Sequence, residues 1–156
     1  MKMQWKQLGI AVLLPLVVGG LATLLTKENM QMFEQLQQPP LSPPMWLFPV
    51  VWSILYVLMG IASYLVYRSN RSQNQVQTAY ILYGLQLVAN FVWTLLFFNL
   101  QMYWLSFAWL LLLWFLIFLT WKAFRSISEL AAWLLVPYLI WVTFAAYLNF
   151  GFLVLN

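Results

Sequence analysis

Five stretches of this chain are almost purely apolar, and short polar or proline-bearing segments separate them. They run roughly over 8–25, 46–67, 76–98, 103–121 and 130–154. A helix needs about 20 apolar residues to cross a bilayer, and each run is close to that length. The runs are continuous and lack period-two alternation, which argues against the strands of a barrel. Helices satisfy their own backbone hydrogen bonds in lipid. The pattern therefore predicts an all-α membrane protein, a single five-transmembrane-helix bundle over residues 1–156. Its longest connection is the segment of about 26–45.

Composition strengthens this reading. The chain is 65% hydrophobic and only 6% charged, whereas a soluble domain is roughly a quarter charged. The few charges report direction. Lys2 and Lys6 precede the first run, Arg68 and Arg71 follow the second, and Lys122 and Arg125 separate the fourth from the fifth. Alternating spans put these six of the seven Lys and Arg on one side, with Lys27 the exception. The positive-inside rule then makes the amino terminus cytoplasmic and the carboxyl terminus exocytoplasmic. The first run is long for a signal peptide and no clear small-x-small site follows it, so it is expected to stay. The net charge of +4 gathers on no basic face, which argues against nucleic acid as a partner. The chain has no Cys and no His. Disulfides are impossible, and the commonest metal and haem ligands are missing, so neither a metal site nor a cofactor is expected.

Polar and aromatic positions inside the runs fall at helical spacing. Gln86, Asn90, Trp93 and Phe97 share one face of the third span. Tyr138, Trp141, Ala145 and Asn149 share one face of the fifth, with Pro137 beside them. Trp52, Tyr56, Gly60 and Ser63 do the same in the second. Amides in lipid either hydrogen-bond helices together or line a cavity, and the residues alone leave both readings open. Aromatic walls above small residues such as Gly60 and Ala145 fit a concave, mostly apolar pocket. No Asp, Glu, Lys, Arg or His lies within a run. Ion-coupled carriers usually keep such a group at mid-membrane, and acid–base catalysis needs one, so both functions are disfavoured.

One connection stands apart. "LQQPPLSPPMWLFPVVW", from Leu36 to Trp52, holds five of the seven prolines and no charge. Pro39, Pro40, Pro43 and Pro44 fix φ and push each preceding residue away from helix. Pro49 falls in the first turn of the second span, where its missing N–H is harmless. The stretch reads either as a rigid spacer or as a stiff lid over a pocket mouth.

Three segments together resemble the translocator protein family, also called tryptophan-rich sensory proteins or peripheral benzodiazepine receptors. They are "LQQPPLSPPMWLFPVVWSILYVLMGIASYLVYR", "LQLVANFVWTLLFF" and "AAWLLVPYLIWVTFAAYLN", and the match covers all five spans in order. The resemblance implies a five-helix bundle that binds porphyrins such as protoporphyrin IX, or other lipophilic small molecules, with the first loop folded over the pocket. Membrane lipids and a second copy of the chain are further implied partners, and a bacterial cell membrane is the implied location. Candidate ligand-binding residues are Trp46, Pro49, Trp52, Tyr56, Gln86, Asn90, Trp93, Phe97, Tyr138, Trp141, Ala145 and Asn149. Pro39, Pro40, Leu41, Pro43 and Pro44 form the implied lid. Some bacterial members degrade protoporphyrin in light, and Trp52 and Trp141 match the tryptophans implicated, so an enzyme is one alternative. A carrier of porphyrin or sterol-like lipids is another. Departures are visible too. Leu41 stands where many members have an aromatic residue, and Ala108 where some carry an acid in helix four. The small-residue spacing of the family's dimer interface survives only in part, around Ala79 and Gly84. No basic residue follows Arg125, so the cholesterol motif of animal members is missing from the last span.

Overall fold

The computed structural model describes residues 3–156, apart from the side chains at 31–33, and Lys2 lies outside it. Five helices follow one another: α1 (Trp5–Phe33), α2 (Leu47–Tyr67), α3 (Gln73–Thr94), α4 (Tyr103–Arg125) and α5 (Glu129–Leu155). Each is long and apolar enough to cross a membrane. The main helix contacts close a ring in the order α1, α2, α5, α4, α3 and back to α1, while α2 and α3 barely meet.

Local chemistry explains the starts and stops. Ser72 precedes α3 in an extended conformation, and its Oγ accepts from Gln75 N at 3.3 Å. Ser128 does the same for α5, accepting from Ala131 N at 3.2 Å, with Glu129 in the first turn. Both are standard N-caps, and the carboxylate suits the positive end of the helix. At its far end α3 widens into a π-helical turn, Leu95–Asn99, closed by Leu100 N donating to Leu95 O at 3.1 Å. Gln101 then takes a left-handed backbone, with φ 52°, which ends the helix.

α1 is longer than its apolar run. The expected span ended at Leu25, because Lys27 and Glu28 look like loop residues. The helix instead continues to Phe33. Lys, Glu and Met are good helix formers outside lipid, and the extension is held from the side. Asn29 Nδ2 donates to Asn99 Oδ1 at 2.7 Å, and Asn99 Nδ2 donates to Leu25 O at 3.1 Å. The connection to α2 therefore shrinks to residues 34–46.

Small residues set the closest crossings, as is usual in lipid, where apolar burial gives helices little reason to associate. A Cβ on Gly60 would lie 2.5 Å from Val12 Cα and 2.6 Å from Ala11 O, so α1 and α2 touch backbone to backbone there. Gly19 in the same way admits the ring of Tyr56. Ala79 is fully buried inside the bundle and presents nothing to a second copy.

Candidate ligand cavity

At the end of the bundle away from Arg68 and Arg125, a cavity of about 160 Å³ opens between α1, α2, the π-helical turn and α5. Its walls are aromatic. Trp52 stacks on Tyr56 at 5.6 Å and meets Trp141 edge-on at 6.5 Å and 88°. Phe48 packs against Trp141 at 5.8 Å. On the facing side Trp93 stacks on Phe97 at 5.3 Å. The π-helical turn places both Phe97 and Phe98 on the cavity. A single wide turn of this kind often re-aims side chains at functional sites. Ala145 leaves room at the level of Trp141.

Eight of the predicted residues line this space: Pro49, Trp52, Tyr56, Trp93, Phe97, Trp141, Ala145 and Asn149. Four do not. Trp46 turns outward and is 67% exposed. Gln86, Asn90 and Tyr138 lie beneath the cavity in a network of their own. Tyr138 donates to Gln86 Oε1 at 2.7 Å and accepts from Asn90 Nδ2 at 2.8 Å. Tyr56 reaches the same group, donating to Asn90 Oδ1 at 3.4 Å. All are buried. For these two amides the helix-joining reading holds, because the tyrosine between them takes up the polarity that a guest would need.

Asn149 lines the cavity but is also committed. Its Oδ1 accepts from Trp93 Nε1 at 3.0 Å and Ser106 Oγ at 3.1 Å, and its Nδ2 donates to Tyr103 O at 3.0 Å. Trp141 differs. Its Nε1 is buried without a hydrogen-bond partner. It is a spare donor in an otherwise satisfied, uncharged wall.

The proline-rich segment lies over the end of α5. Pro39 is buried against Gly151, where an added Cβ would come within 2.5 Å of the Pro39 ring. Tyr147 donates to Pro40 O at 2.6 Å. Asn156 exchanges two hydrogen bonds with the backbone of Gln37, at 3.0 and 3.2 Å. Leu41 sits at the tip with φ 69° and is 83% exposed. The prolines of this segment shape it without lining the cavity. Met45 and Phe48, just beyond them, are the residues that reach inside.

Several lining residues escaped the sequence reading. Gly19, Ala22, Thr23 and Met30 all come from α1. Their signal was a run of small residues at helical spacing, Gly19, Ala22 and Thr26, in a helix that otherwise looked like a plain anchor. Phe48 and Phe152 simply continue the stripes of α2 and α5 by one turn each.

A ring of five membrane-crossing helices around an uncharged aromatic cavity defines an integral membrane protein with an apolar internal cavity. The TspO/MBR family model matches residues 11–155. The chain is 40% identical to tryptophan-rich protein TspO of Chlorobaculum tepidum, over 100% of this chain and 99% of that one. It is 37% identical to protein CrtK of Rhodobacter capsulatus, over 80% of this chain and 78% of the other. It is also 37% identical to the translocator protein of Ovis aries, over 79% and 73% of the two chains. The chain belongs to the TspO/MBR family, and that membership supports a receptor-like role in the membrane.

Proposed function

We propose that the chain binds a flat, lipophilic molecule of porphyrin type in this cavity, beneath the segment 34–46. The spare N–H of Trp141 carries the reading. A buried donor without a partner is unfavourable, so the cavity favours a guest that brings an acceptor to that point. Protoporphyrin IX offers broad ring faces that stack on the aromatic walls and can accept the Trp141 N–H as a π acceptor. No lining residue is charged, so its carboxylates stay at the wet mouth, where they need no buried cation.

Size adds a condition. A cavity of about 160 Å³ resembles the roughly 150 Å³ engineered cavity that holds benzene. A four-ring macrocycle is larger, so the segment 34–46 and Phe48 must move aside to admit it. Tryptophan-fluorescence quenching during titration with protoporphyrin IX tests the proposal. Saturable quenching is expected, weakened by Trp141→Phe and unchanged by Trp104→Phe, whose ring is 63% exposed. Non-saturable quenching, or equal loss in both variants, overturns it.

The edge-on pair of Trp52 and Trp141, both on the cavity wall, favours one second reading, light-dependent breakdown of the bound porphyrin. Its Soret band should then fade under illumination, persist in darkness, and persist in both conditions when either tryptophan is Phe. Fading in those variants at the wild-type rate removes this reading.

A further inference from the structure

The basic end of the bundle has a second opening. Because α2 and α3 scarcely meet, a groove of about 410 Å³ runs between them and α1. Ala11, Leu14 and Leu87 make its apolar floor, and tyrosines make its upper walls. Three of the polar groups there are already paired. Ser63 Oγ donates to Gly60 O at 2.9 Å, Tyr80 donates to Ser63 O at 3.0 Å, and Tyr64 accepts from Gln4 N at 2.8 Å. Among the buried ones Tyr83 is the exception. It lines the groove and is 4% exposed, and its hydroxyl faces the Ser63 side chain without a hydrogen bond of standard geometry. Its ring is held by Phe124 at 5.9 Å.

The rim carries charge. Arg68 caps α2, and its guanidinium lies 5.9 Å from the centroid of Tyr64, one of the groove's walls. Arg68 follows Ser63 by five residues, a rise of about 7.5 Å along the helix. From rim to floor the groove therefore offers a cation, then a buried hydroxyl without a well-formed hydrogen bond, then an apolar channel. An anionic diacyl phospholipid presents the complementary order: phosphate, ester carbonyl, acyl chain. We infer that this groove is a binding site for one anionic phospholipid, its headgroup at Arg68 and an ester carbonyl accepting from Tyr83.

Native mass spectrometry of the full chain tests the assignment, after purification with phosphatidylglycerol, phosphatidylcholine or cholesterol. Wild type should retain one phosphatidylglycerol in preference to the other two. Tyr83→Phe should lower its retention roughly three- to tenfold, the worth of one hydrogen bond. Arg68→Gln should erase the preference over phosphatidylcholine. At Gly84, on the groove wall, an added Cβ meets nothing within 4 Å. Gly84→Leu should therefore fill the channel and abolish retention with helical circular dichroism unchanged. Should Tyr83→Phe fold poorly, the other two variants still decide. Equal retention in all variants overturns the site, and so does cholesterol held in place of phosphatidylglycerol. A change from dimer to monomer in Gly84→Leu, with lipid retention unaltered, assigns the groove to a second copy and also overturns it.

Discussion

The hydroxyl of Tyr147 donates to the carbonyl of Pro40 at 2.6 Å, tying the proline-rich segment to a helix 107 residues further along the chain. If this tie holds the cavity shut, Tyr147→Phe should speed release of a bound porphyrin. One hydrogen bond is worth about 0.5–1.5 kcal/mol net, or roughly a two- to tenfold change in rate. Gly151→Val should act in the same direction, because any Cβ there meets the Pro39 ring. Stopped-flow dilution measures both. Wild-type release in the two variants would return the segment to a rigid spacer.

Leu41 offers the opposite test. A non-glycine residue in the left-handed region costs about 1–2 kcal/mol, and Leu41 has φ 69° with its side chain mostly in solvent. Leu41→Gly removes that strain but adds roughly 0.5–1 kcal/mol of chain entropy. The variant should be neutral or slightly more stable in a thermal melt, while Leu41→Val, β-branched at the same φ, should be less stable.

Tyr138→Phe and Trp141→Phe should separate the fold from the site. The first removes a hydroxyl that serves Gln86 and Asn90 at once, leaving buried amide groups unsatisfied at about 1–3 kcal/mol. It should lower the melting temperature with or without ligand. Trp141→Phe deletes a donor that has no partner, so the unliganded protein should melt near wild type while porphyrin affinity falls. Identical thermal behaviour of the two would contradict this division of labour.

The orientation inferred from six same-side basic residues is testable by fusion. An alkaline phosphatase joined after Asn156 should be active, and a fluorescent protein at the same place should be dark. Swapped signals would reverse the topology, and with it the side on which the cavity opens.

The helices were legible because each apolar run is long enough to cross lipid and the breaks between them carry the polar residues. The facing directions were harder. Apolar side chains cover the outside of this bundle as well as its interior, as exposed Ile10, Leu13 and Val17 on α1 illustrate. Hydrophobicity alone thus cannot say which way α1 faces. Polar and aromatic stripes could, and they pointed to Trp52, Tyr56, Trp93 and Trp141, which line the cavity. They failed at Gln86 and Asn90, where the stripe was real but pointed at Tyr138. No single-helix pattern shows that a tyrosine on another helix will satisfy two amides. The end of α1 failed differently, since the Asn29–Asn99 bond that supports its last turns joins residues 70 apart.

The ring order gives the segment 34–46 an unusual freedom. It leaves α1 and enters α2, which are neighbours in the ring, yet it is fastened to α5 on the far side of α2. Its attachments belong to none of the helix-to-helix contacts that hold the ring closed. If the segment is a lid, lifting it frees Leu36 and Met45 from the core and breaks these hydrogen bonds while the five helices keep their own contacts. Opening then resembles unbuckling more than unfolding, and a single proteolytic cut between Gln37 and Ser42 should leave the bundle assembled with its cavity uncovered.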